Sequence, residues 1–196
     1  MLRGVKLGAT LDLPPSKLVA IQNLGYGTNS KMMIGFTGPM WLGLGGNGQS
    51  YSDLPNHQST WETNPSRATS AYAVLTDYSG GDRGAQLNPA AVQDEATKFL
   101  GDLDTVYPGA LAAAKLDGAG NFLAHLEHWT SNPLTNGAYT CNQPGYFTTI
   151  AGNEQKPVGN LFFAGEHTSS FYENRGFLEG AVQSGLRAAA EVLKAL

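Results

Sequence analysis

The feature that most limits what this chain can fold into lies near its C-terminus. Pro157-Val-Gly-Asn leads into Leu161-Phe-Phe-Ala-Gly and then, after a loop, into an amphipathic run ending at Leu196. A short apolar run closed by glycine reads as a buried strand. In the run that follows, Phe177, Leu178, Ala181, Val182, Gly185, Leu186, Ala189, Leu193 and Leu196 share one stripe at helical spacing. Small residues on that stripe permit close packing on a sheet. The chain is therefore expected to mix α and β. Its last strand and helix, beyond a change of character near residue 145, belong to a different layer from the middle.

Upstream, Pro14-Pro15-Ser16 precedes KLVAIQNLGYG, which reads as a short helix stopped by Gly25. Ser30–Phe36 reads as a strand, with Lys31, Met33 and Gly35 on one face and Met32, Ile34 and Phe36 on the other. The glycine-rich WLGLGGNGQS reads as a hairpin connection, with short strands following near His57–Glu62 and Ala71–Asp77. Pro89–Tyr107 is the clearest mid-chain helix, with Asp94 and Glu95 in its early turns. Asn121–Trp129 reads as another strand.

Composition narrows the function classes. The 196 residues include 25 glycines and only 14% charged residues, which suits tight turns and close backbone approaches better than a helical bundle. Net charge is -4 and the 12 basic residues are scattered, so no cluster could neutralise a run of phosphates and nucleic-acid binding is not expected. The single Cys141 excludes an internal disulfide. No apolar run approaches the roughly 18 residues that a membrane span needs. The N-terminal MLRGVKLGATLDLPP lacks the apolar stretch of a secretory leader, so the default expectation is cytoplasmic.

The segment Asn160–Leu193, NLFFAGEHTSSFYENRGFLEGAVQSGLRAAAEVL, closely resembles the C-terminal signature of the flavin-containing amine oxidases, a family of monoamine, polyamine and L-amino-acid oxidases. The resemblance continues upstream through LPPSKLVAIQNLGYGTNSKMMIGF and EHWTSNPLTNGAYTCNQPGYF. Elementary electrostatics gives an independent reason for such a helix. Reducing a flavin leaves negative charge near N1 and the C2 carbonyl, and a helix N-terminus presents unpaired N–H groups and about +0.5 of a charge. Gly176 allows backbone approach, and the N–H groups of Phe177 and Leu178 are candidates for that contact. The resemblance implies that Gly165 and Glu166 face the ribityl or diphosphate portion of FAD; without it, Glu166 reads as an exposed loop carboxylate.

The same resemblance assigns Lys31 to hold a water near flavin N5, where base rates alone make it a solvated strand lysine. It assigns Tyr139 and Phe177 to frame the amine before the flavin, where aromatic faces suit the nitrogen and exclude water. A phenylalanine at 177 makes that frame less polar than a paired-tyrosine version. Trp129 reads either as a wall of the same pocket or as a core tryptophan. Ala138 stands where some relatives carry the cysteine bonded to flavin, so FAD is expected to be non-covalent.

Other signals point nowhere. Gly43-Leu-Gly45-Gly46-Asn-Gly48 satisfies G-x-G-x-x-G, yet Ser50-Tyr-Ser-Asp-Leu-Pro55 will not make the helix that a dinucleotide fingerprint requires. His125 and His128 stand three apart in an expected strand and point to opposite faces, so no metal is expected. No G-x-S-x-G elbow offers a hydrolase nucleophile.

The resulting expectation is an α+β fold. Residues 1–145 would form mainly a substrate-binding domain with a mixed sheet, the first residues belonging either to it or to the tail of the FAD domain. Residues 146–196 would supply the final strand and helix of a Rossmann-like FAD domain whose first βαβ unit is missing. The expected function is that of the C-terminal half of an FAD-dependent oxidase of amines or amino acids, transferring hydride to flavin N5 and electrons to O2. Its partners would be a small amine, O2 and an N-terminal FAD-binding half in the same or another chain, with homo-oligomerisation left open. An amino-acid substrate would require a cation for its carboxylate, for which Arg175 and Arg67 are candidates. The alternative is a non-catalytic module that does not bind FAD by itself.

Overall fold

The computed structural model describes residues 2–8, 10–67, 69, 71–169 and 174–196, with the side chain of Arg67 outside the described set. The chain divides into two compact units, Thr28–Asn132 on one hand and Met1–Gly27 with Pro133–Leu196 on the other.

Thr28–Asn132 is an antiparallel sheet covered on one face by helices. Strand β1 (Asn29–Phe36) lies between β4 (Ala73–Gly80) and β5 (Ala124–His128), while β3 (Ser59–Glu62) and the two-residue β2 (Ser50–Tyr51) extend the sheet beyond β4. The alternation expected in β1 decides which face is covered. Met32, Ile34 and Phe36 are fully buried, whereas Lys31 and Met33 are half-exposed. Against the buried face packs α3 (Val92–Val106), whose Ala96, Phe99, Leu100 and Leu103 fall at helical spacing and are all buried. The expected start at Pro89 is a 3₁₀ turn over Pro89–Ala91, with Ala90 N–H donating to Asn88 Oδ1 at 3.0 Å. Short helices α2 (Gly81–Gln86) and α4 (Ala110–Ala113) complete the cover.

The glycine-rich connection departs from expectation. It begins as a 3₁₀ helix over Met40–Leu44 and does not join a hairpin, since β1 pairs with β4 and β5 while β2 pairs with β3. The cause is Trp41, which is fully buried edge-on to Phe36, with ring centroids 5.4 Å apart, and donates Nε1–H to Glu62 Oε2 at 2.9 Å. Burying that indole folds the connection back onto the core before the glycines are reached.

The other unit is held by pairings distant in sequence. Helix α1 (Pro15–Asn23) packs Ala20 against Tyr146 and Ile150, the former on α5 (Tyr146–Thr149). It ends two residues before Gly25, whose role is different from the expected helix stop. A Cβ there would stand 2.0 Å from the Cys141 carbonyl oxygen, so glycine permits residues 25–27 to pair with 138–141. Cys141 N–H donates to Gly25 O, Ala138 N–H to Gly27 O, and Gly27 N–H to Tyr139 O at 3.1, 2.9 and 2.7 Å.

Two expectations about the C-terminal segment are corrected here. Leu161–Gly165 is no regular strand: Leu161 makes a single bridge with Val158, and the Phe163 carbonyl is taken by the Arg187 guanidinium at 2.5 Å. A strand needs a ladder neighbour, and a side chain occupies that place. Helix α6 (Leu178–Ala195) forms as expected, but it packs on the segment around Glu166–Thr168 through Gly180, Ser184 and Arg187. Its apolar stripe faces outward, with Leu178 88%, Leu186 69% and Leu193 73% exposed. Gly180 and Ser184 win the inner face because only small side chains fit there: a Cβ on Gly180 would meet Asn174 O at 2.1 Å. Among the described residues, no helix is long and apolar enough to cross a membrane.

Candidate functional site

The turn before α6 is organised by Gly165. Its φ of 125° favours glycine, and a Cβ would stand 2.4 Å from the His167 ring, which would have to turn aside. Ser184 Oγ, buried on α6, accepts from Gly165 N–H and donates to Gly165 O, both at 2.9 Å. Thr168 reinforces the same carbonyl from its backbone N–H and its hydroxyl. The irregular segment Leu161–Gly165 and helix α6 are thereby fastened at one residue.

Glu166 follows, and both carboxylate oxygens are engaged inside the unit. Oε1 accepts from Thr140 N–H at 3.0 Å, while Oε2 accepts from the Thr140 hydroxyl and from Gly176 N–H at 2.7 Å. Tyr139 and Phe177, each next to one of these anchors, stand 41% and 66% exposed. The Tyr139 ring lies against Gly176, with Cδ2 3.6 Å from where a Cβ would be. Phe177 N–H donates to Asn174 O at 3.2 Å, so it is used within the turn; Phe177, at the N-cap of α6, makes no side-chain cap bond.

Behind this turn lies a buried charged cluster that sequence reasoning did not find. Glu154 accepts from the Tyr146 hydroxyl at 2.5 Å and pairs with Arg175 at 3.4 Å. The Arg175 guanidinium lies 4.2 Å from the Tyr146 ring centroid and also donates to His167 O at 2.8 Å. Arg175 is thus committed inward, away from the carboxylate-binding role open to it on sequence. Lys17 is buried with its ammonium 3.8 Å from the Phe163 ring centroid and 3.0 Å from Glu154 O. Burial lowers its pKa from 10.5 to about 8 against the opposing pull of Glu154. Burial also lowers the pKa of His167, and it raises Tyr146 to about 12 together with its bond to Glu154. A cavity of about 420 Å³ opens beside the cluster, lined by Leu24, Tyr26, Asn136, Glu154 and His167 among others. The available signal was a lysine at position 17 of an otherwise apolar helix turn, which periodicity alone assigns to solvent.

Lys31 and Trp129 belong to the other unit. Lys31 projects from the open face of β1, between Tyr78 on β4 and Glu127 on β5, with its ammonium 5.8 Å from the Tyr78 ring centroid. Trp129 is half-buried just past β5, and its backbone N–H donates to Asn29 O at 3.2 Å. The open face also borders a cavity of about 560 Å³ lined by Met33, Gly35, Val74, Phe122 and His125 among others. In the covered half of the sheet, His57 lies 2.8 Å from Ser50 Oγ and 3.3 Å from Asp77 Oδ1. This has the order of a Ser-His-Asp relay, but His57 and Asp77 are fully buried and Ser50 Oγ is also shared with Thr60. It is a polar pillar within the sheet and offers no entry for a substrate. Among the described residues, no group of three or more His, Cys, Asp or Glu side chains could hold a metal ion.

Residues 4–193 match the family described as flavin containing amine oxidoreductase. The L-amino-acid oxidase of Notechis scutatus scutatus is 26% identical over 185 residues, covering 93% of this chain and 34% of that protein. The flavin-containing amine oxidase B of Cavia porcellus is 26% identical over 196 residues, covering 98% of this chain and 36% of its own length. The chain therefore spans about a third of the length of the curated relatives it matches. The solved structure of cyclohexylamine oxidase from Brevibacterium oxydans IH-35A superposes with a TM-score of 0.75 at 24% identity, over 93% of this chain and 38% of that one. Wild-type putrescine oxidase bound to putrescine gives 0.75 at 19% identity, with the same coverage. The mixed arrangement of helices and an antiparallel sheet is thus a part of the fold seen in flavin amine oxidases, and this chain belongs to the flavin-containing amine oxidoreductase family.

Proposed function

We propose that this chain is the C-terminal portion of an FAD-dependent oxidase of amines or amino acids, acting together with an N-terminal FAD-binding half. The observation that carries the reading is the N-terminus of α6, whose N-cap Phe177 makes no side-chain cap bond, beside the exposed pair Tyr139 and Phe177. These residues fit a flavin. An 18-residue helix presents the positive end of its dipole where reduction would place negative charge, and two exposed rings stand next to that end. Bound FAD would supply the redox chemistry, taking hydride from the carbon bearing nitrogen and passing electrons to O2 to give hydrogen peroxide.

The chain's own residues would do the rest. Tyr139 and Phe177 frame the amine and exclude water, and Trp129 walls the substrate side. Lys31 orients a water through its ammonium. Leu178 contributes a backbone N–H to the cofactor; Gly165, Glu166, Gly176 and Phe177 shape the turn that receives it. Ala138 has no group that could bond to a flavin, so FAD is held non-covalently. On this reading residues 1–145 are mainly substrate-facing and 146–196 belong to the cofactor side.

A second reading has its own support. The outward apolar stripe of α6 suits a module that docks to another protein surface and does not bind FAD by itself. Visible absorption distinguishes the two. The chain joined to an N-terminal half should carry a flavin spectrum and release peroxide from amines or amino acids. A joined protein without flavin would overturn the oxidase reading in favour of the docking module.

A further inference from the structure

We infer that Glu166 is the positioning residue for the aromatic pair Tyr139 and Phe177. The inference rests on the reading of those two rings as the frame of the substrate, and it changes the part Glu166 plays there. A residue facing a ribityl or diphosphate group would need a carboxylate oxygen turned toward it. Both oxygens are instead occupied by groups of the chain itself: Thr140 N–H on Oε1, and the Thr140 hydroxyl with Gly176 N–H on Oε2.

The two anchors are 36 residues apart in sequence and belong to separate segments. Thr140 follows Tyr139 in the stretch that pairs with residues 25–27, and Gly176 precedes Phe177 at the entrance to α6. One carboxylate therefore fixes the backbone on one side of each ring. Hydrogen bonds to an ionised carboxylate are about twice as strong as neutral ones, and Oε2 alone bridges the Thr140 hydroxyl and Gly176 N–H while Oε1 adds a second bond to Thr140. A consequence is visible in the packing of Tyr139 on Gly176, with Cδ2 3.6 Å from the Cβ position of that glycine. Glu166 is itself held. Gly165 is fastened to Ser184 on its N-terminal side, and the 3₁₀ turn Glu166–Thr168 follows. The clamp is built on rigid backbone at its root and grips two segments at its tip.

The test uses the 196-residue chain, labelled for NMR, with Glu166→Gln alongside the unsubstituted protein. A glutamine keeps one acceptor oxygen and puts an N–H₂ donor in place of the other, so it cannot accept all three of the bonds that Glu166 takes from Thr140 and Gly176. In the unsubstituted chain the amide protons of Thr140 and Gly176, both bonded to Glu166, should be slow to exchange with solvent. In Glu166→Gln at least one of these two amides should exchange faster, and the ring-current shift of the Gly176 α-protons from Tyr139 should be reduced, while amides of β1 and α3 stay in place. Fast exchange at either amide of the unsubstituted chain, or amides indifferent to the substitution, would overturn the clamp. Amide exchange in the unsubstituted chain decides the matter even where the variant fails to fold. Neither arm involves flavin or amine turnover, so a failure of the oxidase reading and a failure of the clamp produce different results.

Discussion

At the scale of the residue, buried polar side chains set the organisation that hydrophobic patterning could not reveal. Lys17 is the sharpest case. Its pKa is depressed, so the folded state binds fewer protons than the unfolded state between about 8 and 10.5. Stability linked to Lys17 is therefore fully present above that window and is lost as pH falls through it. Tyr146 has the opposite sign. Its phenol stays protonated up to about 12 in the folded state, so its contribution is present below an ordinary tyrosine value of 10 and falls above it. Between pH 8 and 10 only Lys17 of this pair acts, and the melting temperature should rise there more steeply in the native chain than in Lys17→Met. Thermal melts at the two pH values check this; parallel slopes would count against a buried, depressed lysine. Sequence marked Gly165, Glu166, Tyr139, Gly176 and Phe177 because they sit in a recognisable motif. It could not mark Thr140, Ser184 or Arg187, whose importance comes from hydrogen bonds spanning 19 to 26 positions along the chain.

Elements were legible where periodicity and burial agree. In β1 and α3 the apolar positions recur at the spacing of the element, and the same positions form the core. They parted company where one residue outweighed the pattern. Trp41 draws a glycine-rich connection into a 3₁₀ turn, and Arg187 replaces the ladder neighbour that Phe163 would need in a strand. Helix α6 is the instructive failure. Its stripe was identified correctly as a stripe, but which face turns inward was decided by the small residues Gly180 and Ser184. A polar substitution on that stripe should accordingly be mild. Leu186→Glu is expected to change unfolding free energy by no more than about 0.5 kcal/mol while reducing self-association, read from urea titration and sedimentation velocity. A loss of about 2–5 kcal/mol, as for a buried leucine, would show that the stripe is packed in solution.

At the scale of the whole molecule, the family could be read from sequence because its motif residues are local, whereas the closure of residues 15–27 against 133–154 is a long-range event without local signature. The outward stripe of α6 also has a calorimetric consequence. The heat-capacity increment of unfolding measures apolar surface newly given to water, about 12–15 cal/mol/K per residue in ordinary domains. Leu178, Val182, Leu186 and Leu193 are already largely hydrated in the folded chain, so their part of that increment is absent. The 196-residue chain should unfold with an increment per residue below the ordinary range and a correspondingly flat stability curve. The missing heat capacity should reappear when a partner covers the helix, which makes scanning calorimetry a sensor for whatever seats on α6.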